Sequence, residues 1–177
     1  MEQTYKTLKV SQKGNVVSIS MDRPGSNNAW TGRMHMELRA AFGLANQDPD
    51  CAVIILTGEG ERGFCPGGDF QALEGHAERG GYDDGLPPDV VDPVPDAPAE
   101  FQATLAWMVA LDKPVIAAVN GAAAGVGLAL ACLADIRFGV RSAKMTTAHG
   151  KLHLPAEYGL SWLLPRIIGL GRANDLL

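Results

Sequence analysis

Apolar and polar residues alternate over Tyr5–Val10 and again over Val16–Met21, on either side of Lys13, Gly14 and Asn15. A period of two broken by such a cluster predicts a strand, a tight turn and a second strand. After the polar stretch RPGSNNA the period lengthens: Met34, Leu38, Ala41, Phe42 and Ala45 recur at helical spacing until Asp48 and Pro49 end the pattern. AVIILTG, from Ala52 to Gly58, is short, β-branched and continuously apolar, as a strand buried on both faces of a parallel sheet would be. A second helical stripe (Phe101, Leu105, Met108, Leu111) breaks at Asp112, Lys113 and Pro114. Val115–Asn120 then repeats the buried-strand pattern, Gly125–Cys132 reads as helix, Asp135–Val140 as strand and Lys144–Thr147 as a shorter strand. Strands and helices alternating at this frequency predict an α/β fold with parallel pairing. The chain has no internal repeat and no linker composition, so one domain is expected over residues 1–177.

One stretch departs from this rhythm. Residues 75–100 hold seven acidic residues and five prolines against one arginine, with few large apolar side chains. Nothing there can nucleate a core, and the stretch exceeds the length of an ordinary connection, so it is expected to be a loop, either a mobile lid or a disordered excursion.

Composition narrows the function classes. A formal charge of −5 and the lack of any Lys/Arg run argue against a nucleic-acid partner. An anionic ligand remains compatible, since helix N-termini and a few cations hold phosphates on acidic proteins. Cys51, Cys65 and Cys132 are odd in number and lack metal-site or disulfide spacing, which points to a reducing, cytoplasmic compartment and no metal. The N-terminus lacks the continuous apolar stretch of a secretory signal. The longest uncharged run, Pro114–Ala134, is rich in small residues and glycine, so burial in a core is expected rather than a membrane span.

Two glycine-rich segments each follow a predicted buried strand: GERGFCPGGDF (Gly60–Phe70) and NGAAAGVGLAL (Asn120–Leu130). In open α/β sheets ligands gather beyond the carboxyl ends of strands, and glycines there let backbone N–H groups approach them. Two such loops could aim two donors at one oxygen, which is what a thioester carbonyl needs as it becomes an enolate. Taken singly, either loop could equally serve only tight strand-to-helix packing. Neither matches the usual phosphate loop, and GAAAGVG lacks the glycine order and downstream acid of a dinucleotide fingerprint.

Together the loops resemble a known family. LTGEGERGFCPGGDF is similar to the crotonase (enoyl-CoA hydratase/isomerase) signature in which Thr-Gly at a strand end leads to Phe-Cys-x-Gly-x-Asp. KPVIAAVNGAAAGVGLALACLADIRF is similar to its second signature, and RPGSNNAWT and AEYGLSWLLPRIIGLGRA agree in order. The resemblance implies a crotonase-like ββα spiral acting on acyl-CoA thioesters of fatty acid metabolism, with coenzyme A carried in the substrate and no further cofactor required. It implies that Gly68 and Val126 supply the two oxyanion-hole N–H groups. Asp69 would cap the short helix FQALEG.

The resemblance fails where hydratases of this superfamily place two glutamates, for Ala129 and His149 stand there. Loss of both should remove general acid–base assistance of about 100- to 10,000-fold per group. Glu157, in HLPAEYG, resembles the acid/base glutamate of family isomerases, and one carboxylate suffices to move a proton between C2 and C4 of an enoyl thioester. The competing reading of Glu157 is a solvated loop residue or a helix cap. Isomerase is therefore expected over the hydratase (lyase) reaction, with His149 as an alternative base and a non-catalytic CoA- or protein-binding scaffold as the other possibility. Coenzyme A binding is expected on backbone near Asn28, Ala29 and Trp30, on the loop Phe64, Cys65, Pro66, Gly67 and Gly68, and through Arg23 and Arg62 as phosphate neighbours. The sequence stops within GRANDLL; the resemblance implies that a C-terminal helical part is missing, and that with it the protein would form a homo-trimer or hexamer.

Overall fold

The computed structural model describes residues 4–72, 74, 98–101 and 104–177. The expected acidic loop at 75–100 therefore lies outside the described residues except for its last three positions. Strand β1 (Leu8–Lys13) turns through Gly14, at φ 59°, into β2 (Val16–Met21), and the two pair antiparallel from Leu8 opposite Met21 to Lys13 opposite Val16. The hairpin is as read, with its first strand running three residues further than its alternation suggests.

Helix α1 (Gly32–Gln47) begins where Thr31, in extended geometry, accepts the N–H of Met34 on its Oγ1 at 3.2 Å, satisfying one of the orphan donors of the first turn. Its stripe of Met34, Leu38, Ala41, Phe42 and Ala45 is buried across β1 and β2. β3 (Val53–Gly58), β5 (Val115–Val119) and β7 (Ile136–Gly139) add parallel to β2, giving the order β1-β2-β3-β5-β7. Val17, Ile19, Met21, Ile54, Leu56, Val115, Ala117 and Val119 form the buried face of this sheet, while the alternate positions of β2, β3 and β5 are half-buried.

A second sheet arises where two glycine loops and one short strand, Lys144–Thr147, were expected. β4 (Gly63–Cys65), β6 (Ala122–Ala124) and β8 (Met145–Thr146) pair in parallel in that order. Helix α2 (Val126–Leu133) leaves β6 directly; α3 (His149–Leu152), α4 (Leu160–Ile168) and α5 (Leu170–Leu176) follow β8.

Among its described residues, the stripe from Phe101 to Leu111 forms no α-helix. Thr104 sits at φ +33°, and 3-10 turns form at Ala99–Phe101 and Ala106–Ala110. Residues three apart share a face in a 3-10 turn as they nearly do in an α-helix, so Leu105 and Met108 are still buried together.

Candidate active site

Two asparagines assemble the loops. Asn28, fully buried at φ +64°, accepts the N–H of Arg23 at 2.8 Å and donates to the carbonyls of Glu59 at 2.9 Å and Gly63 at 2.8 Å. Asn120, just past β5, accepts the N–H of Gly58 at 3.1 Å and donates to the carbonyls of Gly58 at 2.8 Å and Gly60 at 2.7 Å. Between them the two amides satisfy backbone groups at the end of β3, the start of β4 and the turn that joins them.

The loop after β4 is then held against the entry to α1. Trp30 donates its N–H to the Gly67 carbonyl at 2.8 Å and accepts the Asp69 N–H at 2.9 Å, a parallel bridge that sets Trp30 opposite Gly68. A trans peptide points its C=O and N–H in opposite directions, so the Gly67 carbonyl bound to Trp30 turns the Gly68 N–H away from it. Gly67 sits at φ +115°, a conformation that side-chain-bearing residues rarely adopt, and Gly68 is exposed.

The second expected donor, Val126, follows β6. Ala123 and Gly125 donate to the Lys144 and Thr146 carbonyls at 2.9 and 3.1 Å, and Gly125 (φ 51°, ψ −117°) then swings the chain into α2. Val126 is the first helical residue, so its N–H has no acceptor within the helix and lies at the positive end of the helix dipole. Its side chain is buried in the core. The two loops touch: a Cβ on Gly127 would strike the Cys65 carbonyl, and one on Gly67 would lie 3.7 Å from the Ala124 carbonyl. Gly68 and Val126 thus flank a single contact between backbones.

Beyond β8, His149 is buried. Its Nε2 accepts the backbone N–H of Glu157 at 3.5 Å, which leaves the ring hydrogen on Nδ1, an atom with no partner among the described residues. Glu157 is half-buried, and no hydrogen bond or ion pair from the described residues engages its carboxylate. Next to it, Tyr158, Trp162 and Leu163 join Leu105, Val109 and Leu133 around an apolar cavity of ≈ 380 Å³. No three His, Cys, Asp or Glu side chains converge as metal ligands would, and no helix is long and apolar enough to cross a membrane, among the described residues.

The sequence matches the enoyl-CoA hydratase/isomerase family over residues 11–177. The chain belongs to that family. It is 37% identical over 172 residues to 1,2-epoxyphenylacetyl-CoA isomerase of Escherichia coli, covering 93% of this chain and 59% of the relative. It is 34% identical to the probable peroxisomal enoyl-CoA hydratase 1 of Arabidopsis thaliana, covering 99% of this chain and 61% of the relative. The enoyl-CoA hydratase of Bacillus anthracis superposes with a TM-score of 0.80 at 30% identity, over 97% of this chain and 62% of that one. The fold is therefore the crotonase fold, and the chain spans about three fifths of the length of these relatives.

Within this enoyl-CoA hydratase/isomerase chain the remaining expected site residues divide by exposure. Phe64 and Cys65 are fully buried, so they can present a ligand only backbone; burial pushes the Cys65 thiol up to about 11, against a lowering bond from the Gly67 backbone. Pro66 is half-buried beside them. The Ala29 carbonyl and both backbone groups of Trp30 are already bonded within the protein, and the Trp30 ring packs on His35 with centroids 5.5 Å apart. Burial lowers the His35 pKa while its Nε2 meets the Thr104 carbonyl at 3.0 Å. Arg62 is exposed, and its own carbonyl receives the Ala122 N–H at 3.0 Å. Arg23 is bound to Ala29 and Asp69, and Asp69 also accepts the Gln71 and Ala72 N–H groups as a cap. Sequence reasoning passed over Asn120 as a structural staple; its position among apolar residues at a strand end was the available signal.

Proposed function

We propose that the chain stabilises the enolate of an acyl-CoA thioester between the N–H groups of Gly68 and Val126, and that its preferred reaction is Δ3,Δ2-enoyl-CoA isomerisation. The observation that supports the first part is the contact between two glycine loops that leaves one N–H on each side without an acceptor among the described residues. For the second part, Glu157 matches the isomerase glutamate by resemblance and lies on the segment held by His149, while Ala129, buried in α2, has no group with which to activate water. Coenzyme A enters as part of the substrate, with exposed Arg62 as a phosphate neighbour and the apolar cavity beyond Tyr158 receiving the acyl end. A homo-trimer or hexamer, formed with a C-terminal helical part, belongs to this reading.

The reaction balances on one carboxylate. The Glu157 carboxylate takes a proton from C2; the C2–H electrons form the C1=C2 bond, the C1=O π electrons move onto the thioester oxygen under the two N–H groups, and C3=C4 stays conjugated until its π electrons take the proton at C4, the C1=C2 electrons become C2=C3 and C1=O reforms. Return of the proton at C4 collapses the dienolate to the 2-enoyl thioester and restores the carboxylate. His149 accepts the Glu157 N–H and so holds the segment that carries the base; it is the next candidate should Glu157 not be the base.

The test is to incubate the protein with 3-enoyl-CoA and with 2-enoyl-CoA, and to repeat this with Glu157→Gln. Isomerisation that falls about 100-fold or more in the variant, with little change in ester affinity, is the expected outcome. Rapid hydration of the 2-enoyl ester without isomerisation would overturn the preferred reaction in favour of a hydratase. Tight ester binding without turnover of either substrate would point to a binding scaffold.

A further inference from the structure

The hole depends on the orientation of one peptide, between Gly67 and Gly68, and neither residue has a side chain with which to anchor it. The flanking residues do. Arg23 Nη1 donates to the carbonyl of Ala29, immediately before Trp30, at 2.5 Å, and Arg23 Nη2 donates to Asp69 Oδ2, immediately after Gly68, at 2.8 Å. One planar guanidinium thus ties together both sides of the Trp30–Gly68 bridge, one residue away from it on each side. Neither end is free to drift. The second Asp69 oxygen accepts the N–H groups of Gln71 and Ala72, and the backbone of Arg23 is itself held by buried Asn28, whose amide also grips the Gly63 carbonyl at the base of the same loop.

We propose that the Arg23–Asp69 pair is the positioning element of the oxyanion hole, fixing the Gly68 N–H on the thioester oxygen, and that Arg23 does not hold the phosphates of coenzyme A. This rests on the reading of Gly68 as an oxyanion donor. Both outer nitrogens of the guanidinium already have acceptors, and the ion pair is mostly shielded, with side chains 27% and 13% exposed. Burial alone would raise the Asp69 pKa, but the hydrogen bond and charge of Arg23, with the capping N–H groups, hold it below its ordinary 3.8, so the carboxylate stays ionised and the clamp stays closed at neutral pH. A lysine keeps the charge but offers a point ammonium, which cannot hold a carbonyl and a carboxylate in one plane as the fork does.

The experiment uses the 177-residue chain and its Arg23→Gln, Arg23→Lys and Asp69→Asn variants, with three readouts: free coenzyme A affinity by calorimetry, kcat and KM on 3-enoyl-CoA, and the infrared frequency of the thioester carbonyl in a bound, unreactive saturated acyl-CoA. In the unaltered protein the carbonyl should shift to lower frequency on binding. In the variants that shift should shrink and kcat fall about 10- to 100-fold, while free coenzyme A affinity stays within about twofold. A fold that merely loosened elsewhere would not move the carbonyl band selectively. Should Arg23→Gln fail to fold, Arg23→Lys is expected to show the same split. A salt-dependent loss of coenzyme A affinity with kcat and the carbonyl band unchanged would overturn the proposal and make Arg23 a phosphate ligand. An unaltered protein that binds the ester with no carbonyl shift would instead remove Gly68 as a donor, and the positioning role with it.

Discussion

Cys65 stands behind an aromatic residue in the glycine loop, a placement that invites comparison with a nucleophile, and burial decides its chemistry. With no exposure and its pKa raised to about 11, it is a neutral thiol at physiological pH. The sign follows from the direction: an unfolded thiol ionises near its ordinary 9.0, the folded one only near 11, so Cys65 favours the folded state below that range and ceases to as pH climbs through it. Native protein at pH 8 should therefore leave Cys65 unmodified by iodoacetamide over hours, with labelling following unfolding in urea; fast native labelling, read by mass spectrometry of the Cys65 peptide, would contradict this. The partners of Asn28 and Asn120 could not be read from the sequence, because each amide bonds to a loop roughly thirty or sixty residues away.

At the scale of elements, the junction of β4, β6 and α2 is where local preference and tertiary contact disagree. Gly127 lies inside α2, where Ala would ordinarily favour the helix by about 1 kcal/mol. A Cβ there, however, would run into the Cys65 carbonyl, and backbone has nowhere to move without pulling β4 away from β6. Overpacking of this kind costs about 1–3 kcal/mol, so Gly127→Ala should be destabilising despite its propensity, read as a lower urea midpoint. Its turnover should also fall, since the shift separates Gly68 from Val126. A stabilised, fully active variant would show that the two loops are not in contact. Two of the three short strands of this second sheet, β4 and β6, were illegible as strands because three residues carry no period and their pairing joins segments about sixty residues apart, whereas β8 falls within the strand expected at Lys144–Thr147.

The whole molecule leaves apolar side chains in water along its last third. Phe138 is 65% exposed on the edge strand β7, Leu170 66% and Trp162 51% on the terminal helices, with Ile136, Val140 and Met145 nearby in sequence. An edge strand with such residues and unpaired backbone groups is a pairing surface. The 177-residue chain is expected to associate with rising concentration, measured by light scattering in the micromolar range, and Phe138→Asp to weaken that association without changing the circular dichroism spectrum. A monodisperse monomer at every concentration would overturn this.

What the sequence by itself determined about this protein is local in origin. The period of two over the hairpin, the helical period from Met34 to Ala45, the apolar runs of β3 and β5 and the glycines after them each depend on residues that are neighbours in the chain, and the family resemblance rests on those same segments. The missing carboxylates at Ala129 and His149 are likewise read directly. Only the tertiary structure decided that Thr104 would take a positive φ before Leu105, that two glycine loops would become parallel strands, and that the Gly67 carbonyl would be taken by Trp30 so as to turn the Gly68 N–H outward. It also decided that Arg23 would close on Ala29 and Asp69. The physical reason is common to these cases: the direction of a backbone N–H or a guanidinium is set by acceptors that no local pattern encodes, and those acceptors arrive only when distant segments pack.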